Sequence, residues 1–68
     1  MDYVKVDSSN VESLAYDPDR KVMRVIFLHG GEYEYKVTEA RFNSILNADS
    51  VGKAVHQLRK DGVEGRKV

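Results

Sequence analysis

Ser50, Gly52 and Lys53 bring a small hydroxyl, an unobstructed stretch of backbone and a cation close together in the chain. At a helix start that combination favours an anion, because the first N–H groups are unpaired and the helix dipole is positive there. The same residues serve equally well as an ordinary helix cap. His56, Arg59 and Lys60 follow on the polar surface of that helix, and with Lys53 they form the strip best suited to holding phosphate. The string Ser-x-Gly-Lys lacks the long glycine-rich loop of a nucleotide-binding P-loop, so an NTPase is not expected. Tyr33 and Tyr35, two residues apart, fall on one face of a strand, where exposed rings stack bases and buried rings build a core. Because they share that face with Val37 in a small chain, the core is expected, with each hydroxyl reaching the rim.

Other chemistry finds little support. His29 and His56 are the only histidines, and neither stands in a short pattern with carboxylates, so no metal site is expected. Ser8, Ser9, Ser13, Ser44 and Ser50 supply hydroxyls, but no accompanying base or oxyanion donor can be picked out. Glu32 and Glu34 share a strand face, where neighbouring carboxylates usually keep an exposed surface soluble. The expectation is a binding module without catalysis and without a cofactor.

A chain of 68 residues makes one domain, 1–68. A core of that size leaves roughly 3–5 kcal/mol of net stability. With no cysteine, neither a disulfide nor a thiolate zinc site can add to it, and dimerisation is the remaining route. The absence of cysteine fits an intracellular, cytoplasmic address. A hydrophobic fraction of 41% beside 32% charged residues belongs to a folded domain rather than a disordered one. Met1 to Lys5 has no signal-peptide character, and no apolar run approaches the ~20 residues of a spanning helix, so no membrane partner is expected. Net charge is zero, yet Met1 to Asp19 holds five acidic residues against one lysine. Lys53 to Val68 reverses this, with five basic residues against two acidic. A basic end can attract phosphate, although zero net charge argues against a strong, sequence-independent grip on nucleic acid.

The coarse pattern begins with Tyr3 to Val6, an extended segment broken by Ser8-Ser9-Asn10. Val11 to Tyr16 reads as a strand with Leu14 and Tyr16 on one face, and Asp17-Pro18-Asp19-Arg20 reads as a turn. The next strand, Val22 to Leu28, puts Met23, Val25 and Phe27 on one side and Val22, Arg24, Ile26 and Leu28 on the other. Apolar residues on both sides require a cover for the second, either a helix or another subunit. Gly30-Gly31 turns the chain into the strand Glu32 to Val37. The period then changes to that of a helix. Thr38 caps a helix to about Asn47 in which Ala40, Phe42, Ile45 and Leu46 recur at helical spacing, and Asp49 or Ser50 caps a second helix whose apolar members are Val51, Ala54, Val55 and Leu58. Gly62 stops it, and residues 61–68 are expected to form a flexible tail. The expected core is Leu14, Tyr16, Met23, Val25, Phe27, Tyr33, Tyr35, Val37, Phe42, Ile45, Leu46, Val51, Val55 and Leu58. The fold class is α+β, an antiparallel β-meander of three to four strands followed by two α-helices.

Read in order, Ser8-Ser9, Tyr16-Asp17, Met23-x-Val25-x-Phe27, a glycine turn, Tyr33-x-Tyr35, Val37, Phe42, Leu46 and Ala48-x-Ser50-x-Gly52 resemble the KTSC domain. That family takes its name from the C-terminus of some lysyl-tRNA synthetases and also occurs as free-standing bacterial and phage proteins. The resemblance runs from about Val6 to Lys60 and departs from it at Ala54-Val55, where many relatives have an aromatic pair. It implies an antiparallel sheet followed by two helices, and an RNA-binding role drawn from the synthetase context. On that reading RNA or another phosphate-bearing ligand meets Ser50, Gly52, Lys53, His56, Arg59 and Lys60, and charge reversal at Lys53 or Arg59 weakens binding. A different class of function is a protein-interaction or homodimerising module using Val22, Ile26 and Leu28, which a charged residue at Ile26 would disrupt. A phage-encoded inhibitor or sequestering protein is a third reading, permitted by the family's distribution but selected by no residue.

Overall fold

The computed structural model describes residues 1–68. Its elements are β1 Val4–Lys5, β2 Val11–Asp17, β3 Val22–Phe27, β4 Gly31–Lys36, α1 Glu39–Leu46, α2 Val51–Lys60 and β5 Gly65–Lys67. The strands make one antiparallel sheet in the order β1-β2-β3-β4-β5. The expected three to four strands are therefore five, and the fifth comes from the segment expected to be a flexible tail. Its cause lies at the end of α2. Gly62 takes φ +85°, the Val63 N–H donates to the Leu58 carbonyl at 2.9 Å, and the Gly62 N–H donates to the Arg59 carbonyl at 3.2 Å. This paired closure turns the chain sharply and sends it back along the sheet, with Val63 packed against the core.

The hairpins are made by local chemistry. Asp17 Oδ1 accepts from the N–H groups of Asp19 and Arg20 at 3.0 and 3.3 Å, and the turn closes through Lys21 at φ 55°. The β3–β4 turn closes through Gly31 at φ +81°. A bulge at Glu12 shifts the register of β2, so that Val11 opposite Phe27 and Leu14 opposite Val25 both face the helices.

That face is the core. Val11, Leu14, Met23 and Val25 from the sheet meet Val37, Phe42, Ile45, Val51, Val55 and Leu58, all buried. The Tyr16 hydroxyl donates to the Val37 carbonyl at 2.9 Å and its ring stacks on Phe42 at 5.2 Å, tying β2 to the entry of α1. Thr38 and Ser50 cap the two helices, accepting from the N–H groups of Arg41 and Lys53. Tyr16, Phe27, Tyr35 and Leu46, expected in the core, lie half-buried at its margin, and Tyr33 is half-buried as well.

The opposite face of the sheet has no helix over it. A ladder of charges covers it instead. Arg20 grips the Glu34 carboxylate with two N–H groups at 2.9 and 3.1 Å, and Arg24 donates to Glu34 at 3.0 Å and to Glu32 at 3.3 Å. The Tyr3 hydroxyl donates to Glu32, drawing the N-terminal segment across the same face. The stems of these side chains lie over the sheet, where Ala15 is fully buried and Ser13 is 6% exposed. Val22 and Ile26 sit on this covered side, Val22 5% exposed and Ile26 half-buried, while Leu28 in the turn is 43% exposed. On this face the chain itself supplies the arginine–glutamate ladder, and of the three apolar residues expected there only Leu28 is left largely exposed.

Candidate nucleic-acid interface

The sequence-derived strip on α2 divides between two places. Ser50 is engaged as the cap, with its hydroxyl accepting from the Lys53 N–H at 3.3 Å. Gly52 lies against the Ser8–Asn10 loop, where a Cβ would stand 3.2 Å from Ser8 Oγ. Ser8 Oγ already accepts from the N–H groups of Asn10 and Val11. Lys53 and His56 are exposed and line a cleft with this loop. Asp7 and Asp49 line the same cleft, so the helix start offers an anion two carboxylates as well as one lysine. Lys60 is exposed on the last turn. Arg59 belongs elsewhere.

Arg59 faces the sheet, where it lines a groove of about 320 Å³ with Phe27, Gly30, Tyr33, Tyr35 and Gly65. The register of the strands builds this groove. In β3 and β4, Phe27 and the pair Tyr33 and Tyr35 point to the helix side, as strand alternation dictates. The Phe27 and Tyr33 rings meet edge to face with centroids 5.7 Å apart. Tyr35 lies over β5, where the residue opposite it is Gly65. A Cβ there would come within 2.7 Å of the Tyr35 ring, so a glycine is needed for the ring to lie down. Burial, then the neighbouring Tyr33, push the Tyr35 hydroxyl above its ordinary pKa, with Arg59 acting the other way. It is neutral at physiological pH and free to donate a hydrogen bond.

Two cations flank the rings. Lys67 is opposite Tyr33 across the β4–β5 ladder, on the same face, and its Cε passes 3.8 Å from where a Cβ would stand on Gly31. Neither Lys67 nor Arg59 forms an ion pair, whereas Arg20, Arg24 and Arg41 are all held by carboxylates. Arg41 pairs with Asp61 at 2.6 Å, which removes the acidic residue next to Lys60 from competition. The sequence placed Phe27 in the core and gave Lys67 no role at a site. Lys67 becomes visible only once the tail is known to be a strand in register with Tyr33.

The sequence matches the KTSC domain over residues 7–61. The chain belongs to the KTSC domain family. It is 34% identical over 61 residues to an uncharacterised protein of Stutzerimonas stutzeri strain A1501, a match covering 88% of this chain and 86% of that protein. It is also similar to a KTSC domain protein of Yersinia pestis seen in a crystal structure, with a TM-score of 0.89 and 29% identity. That superposition covers 98% of this chain and 96% of the other, so the KTSC fold as a whole is shared, β5 included in its span. The Tyr-x-Tyr centre of the KTSC pattern is Tyr33-Glu34-Tyr35 here, one residue to each side of the sheet in turn: two rings in the groove and, between them, the carboxylate that anchors the arginine ladder. No three histidine or carboxylate side chains of this KTSC domain lie close enough to hold a metal ion. No helix is long and apolar enough to cross a membrane.

Proposed function

We propose that this KTSC domain is a non-enzymatic module that binds single-stranded RNA in the groove between β4, β5 and α2. The observation that carries the reading is the partly buried set Phe27, Tyr33 and Tyr35, lining an open groove beside Arg59 and Lys67, two cations without ion-pair partners. Aromatic faces stack bases of any identity, and flanking cations hold the phosphates between them. The family's place at the end of some lysyl-tRNA synthetases points the same way. Lys60 extends the basic surface along α2 from Arg59, whereas Lys53 and His56 belong to the cleft that Asp7 and Asp49 also line. Ser50 and Gly52 act in this reading as cap and close-packed turn rather than as ligands to phosphate.

Fluorescence anisotropy with a labelled single-stranded RNA tests the proposal. Tyr33→Ala is expected to weaken binding by about 1–3 kcal/mol, roughly 5- to 150-fold. Arg59→Ala and Lys67→Ala are each expected to flatten the dependence of log K on log salt by about 0.7. Wild-type affinity in Tyr33→Ala, with no change of salt slope in the two cation variants, would refute it.

A further inference from the structure

A continuous path leaves the aromatic groove and rounds the end of the sheet. The groove shares Arg59 and Gly65 with a second cleft of about 440 Å³ under the Gly62–Gly65 turn. That cleft in turn shares Gly62 to Gly65 with an open cleft of about 740 Å³ on the opposite face. Here the lining is Arg20, Lys36 and Arg66 around the already engaged Glu34. Arg20 and Lys36 also line an adjoining hollow of about 310 Å³ with Lys21. β5 is the hinge of this path. Lys67 lies opposite Tyr33 on one face, and Arg66 lies opposite Glu34 on the other. Lys21, Lys36 and Arg66 form no ion pairs, and Glu64 is the one carboxylate on the route that no arginine holds. Lys21 adds an independent observation. It occupies the left-handed region at φ 55°, a conformation in which a lysine is strained and a glycine is not, so the turn itself does not call for a lysine.

We infer that a single strand bound in the groove continues past Arg59, around the Gly62–Gly65 turn and onto the cationic face formed by Arg66, Lys36 and Lys21. The inference rests on the proposed function and extends it. The domain takes a strand of at least about 4 nucleotides, wrapped around its C-terminal edge strand, rather than a lone base. Arg20 stays bound to Glu34 and supplies the wall, while the three unpaired cations hold phosphates. Glu64 opposes the strand at the bend.

The test compares oligonucleotides of about 2 and about 8 nucleotides, below and above the smallest single-strand site sizes. The double variant Lys36→Ala/Arg66→Ala is expected to weaken the long strand on the order of tenfold and to lower its salt slope by about 1.4, leaving the short strand unchanged. Glu64→Lys is expected to tighten the long strand only. Lys21→Gly guards against a folding artefact, because it should weaken the long strand while raising the melting temperature. If the double variant binds the long strand as wild type does, or loses both lengths equally, the path is overturned. In that case a Tyr33→Ala variant that still loses both lengths leaves the groove standing. If the wild type binds neither length, the groove reading fails and the path fails with it.

Discussion

Lys21 is the residue at which backbone geometry and function most clearly pull apart, so replacing it with glycine makes the sharpest test. The residue ends the β2–β3 turn at φ 55°, where the Cβ of an L-residue crowds the following carbonyl at a cost of about 1–2 kcal/mol. Glycine removes that crowding but makes the unfolded chain more flexible, which returns about 0.4–1 kcal/mol. The difference leaves Lys21→Gly more stable by about 0.5–1 kcal/mol. A domain of this size responds by about 4–8 °C per kcal/mol, so the melting temperature should rise by about 2–8 °C. Thermal circular dichroism at neutral pH measures the shift, and urea titration checks that the slope of the transition is unaltered. Lys21→Ala is the control, since alanine keeps the Cβ and its crowding while losing the charge. It should melt within about 2 °C of the wild type. A melting temperature that falls in Lys21→Gly, or rises equally in Lys21→Ala, would show that the turn is not strained at this residue and would remove the argument that the lysine is kept for its cation.

Two further outcomes concern the core and the charged ladder. Leu58 is fully buried on α2, so Leu58→Ala should cost about 2–5 kcal/mol against a total of roughly 3–5; urea titration followed by far-UV circular dichroism is expected to show most of the stability lost, and a midpoint near that of the wild type would refute it. The guanidinium of Arg20, then that of Arg24, hold the Glu34 carboxyl below the ordinary glutamate value of 4.5, so the folded protein keeps this group ionised to lower pH than the unfolded chain does. Its stabilising contribution is complete above pH 4.5 and drains away as the pH falls below that value through the folded pKa. Urea midpoints measured from neutral pH down to about pH 3 should fall more steeply in the wild type than in Glu34→Gln. Parallel curves would show that the ladder does not couple this carboxylate to folding.

The elements built on strong periodicity or capping were legible. The helices begin at Thr38 and Ser50 as their hydroxyls foretell, and the strands around Met23 and Tyr33 alternate as written. What sequence reasoning missed has a physical reason in each case. The bulge at Glu12 breaks the period of 2 in β2, so Val11, on the wrong phase from Leu14, turns inward and joins the core. β5 has a single glycine and two cations, with no apolar alternation to announce it; its place is dictated by the closure at Gly62 and by the open edge of β4. The groove depends on that strand. Arg59 could be placed on the polar surface of α2, but only the path of β5 reveals that it faces tyrosines while Lys53 and His56, on the same helix, face Asp7 and Asp49.

This arrangement also answers the objection that zero net charge raises against a nucleic-acid module. A bound ligand meets a local field as well as the net charge, and charges left unpaired where it lands weigh most in that field. Of the five arginines, Arg20, Arg24 and Arg41 are consumed by Glu32, Glu34 and Asp61. The acidic N-terminal segment contributes Tyr3 to the far end of the ladder rather than carboxylates to the groove. Arg59 and Arg66 remain, one on each side of β5, with Lys67 and Lys36 beside them. The Tyr-x-Tyr strand makes this possible because its middle residue, Glu34, sits on the opposite face from the rings and draws in two arginines that would otherwise repel the cations of the edge. A neutral chain thereby leaves two free cations, Arg66 and Lys67, on one short edge strand with Arg59 and Lys36 close by, and the aromatic surface that can use them lies on the strand next door.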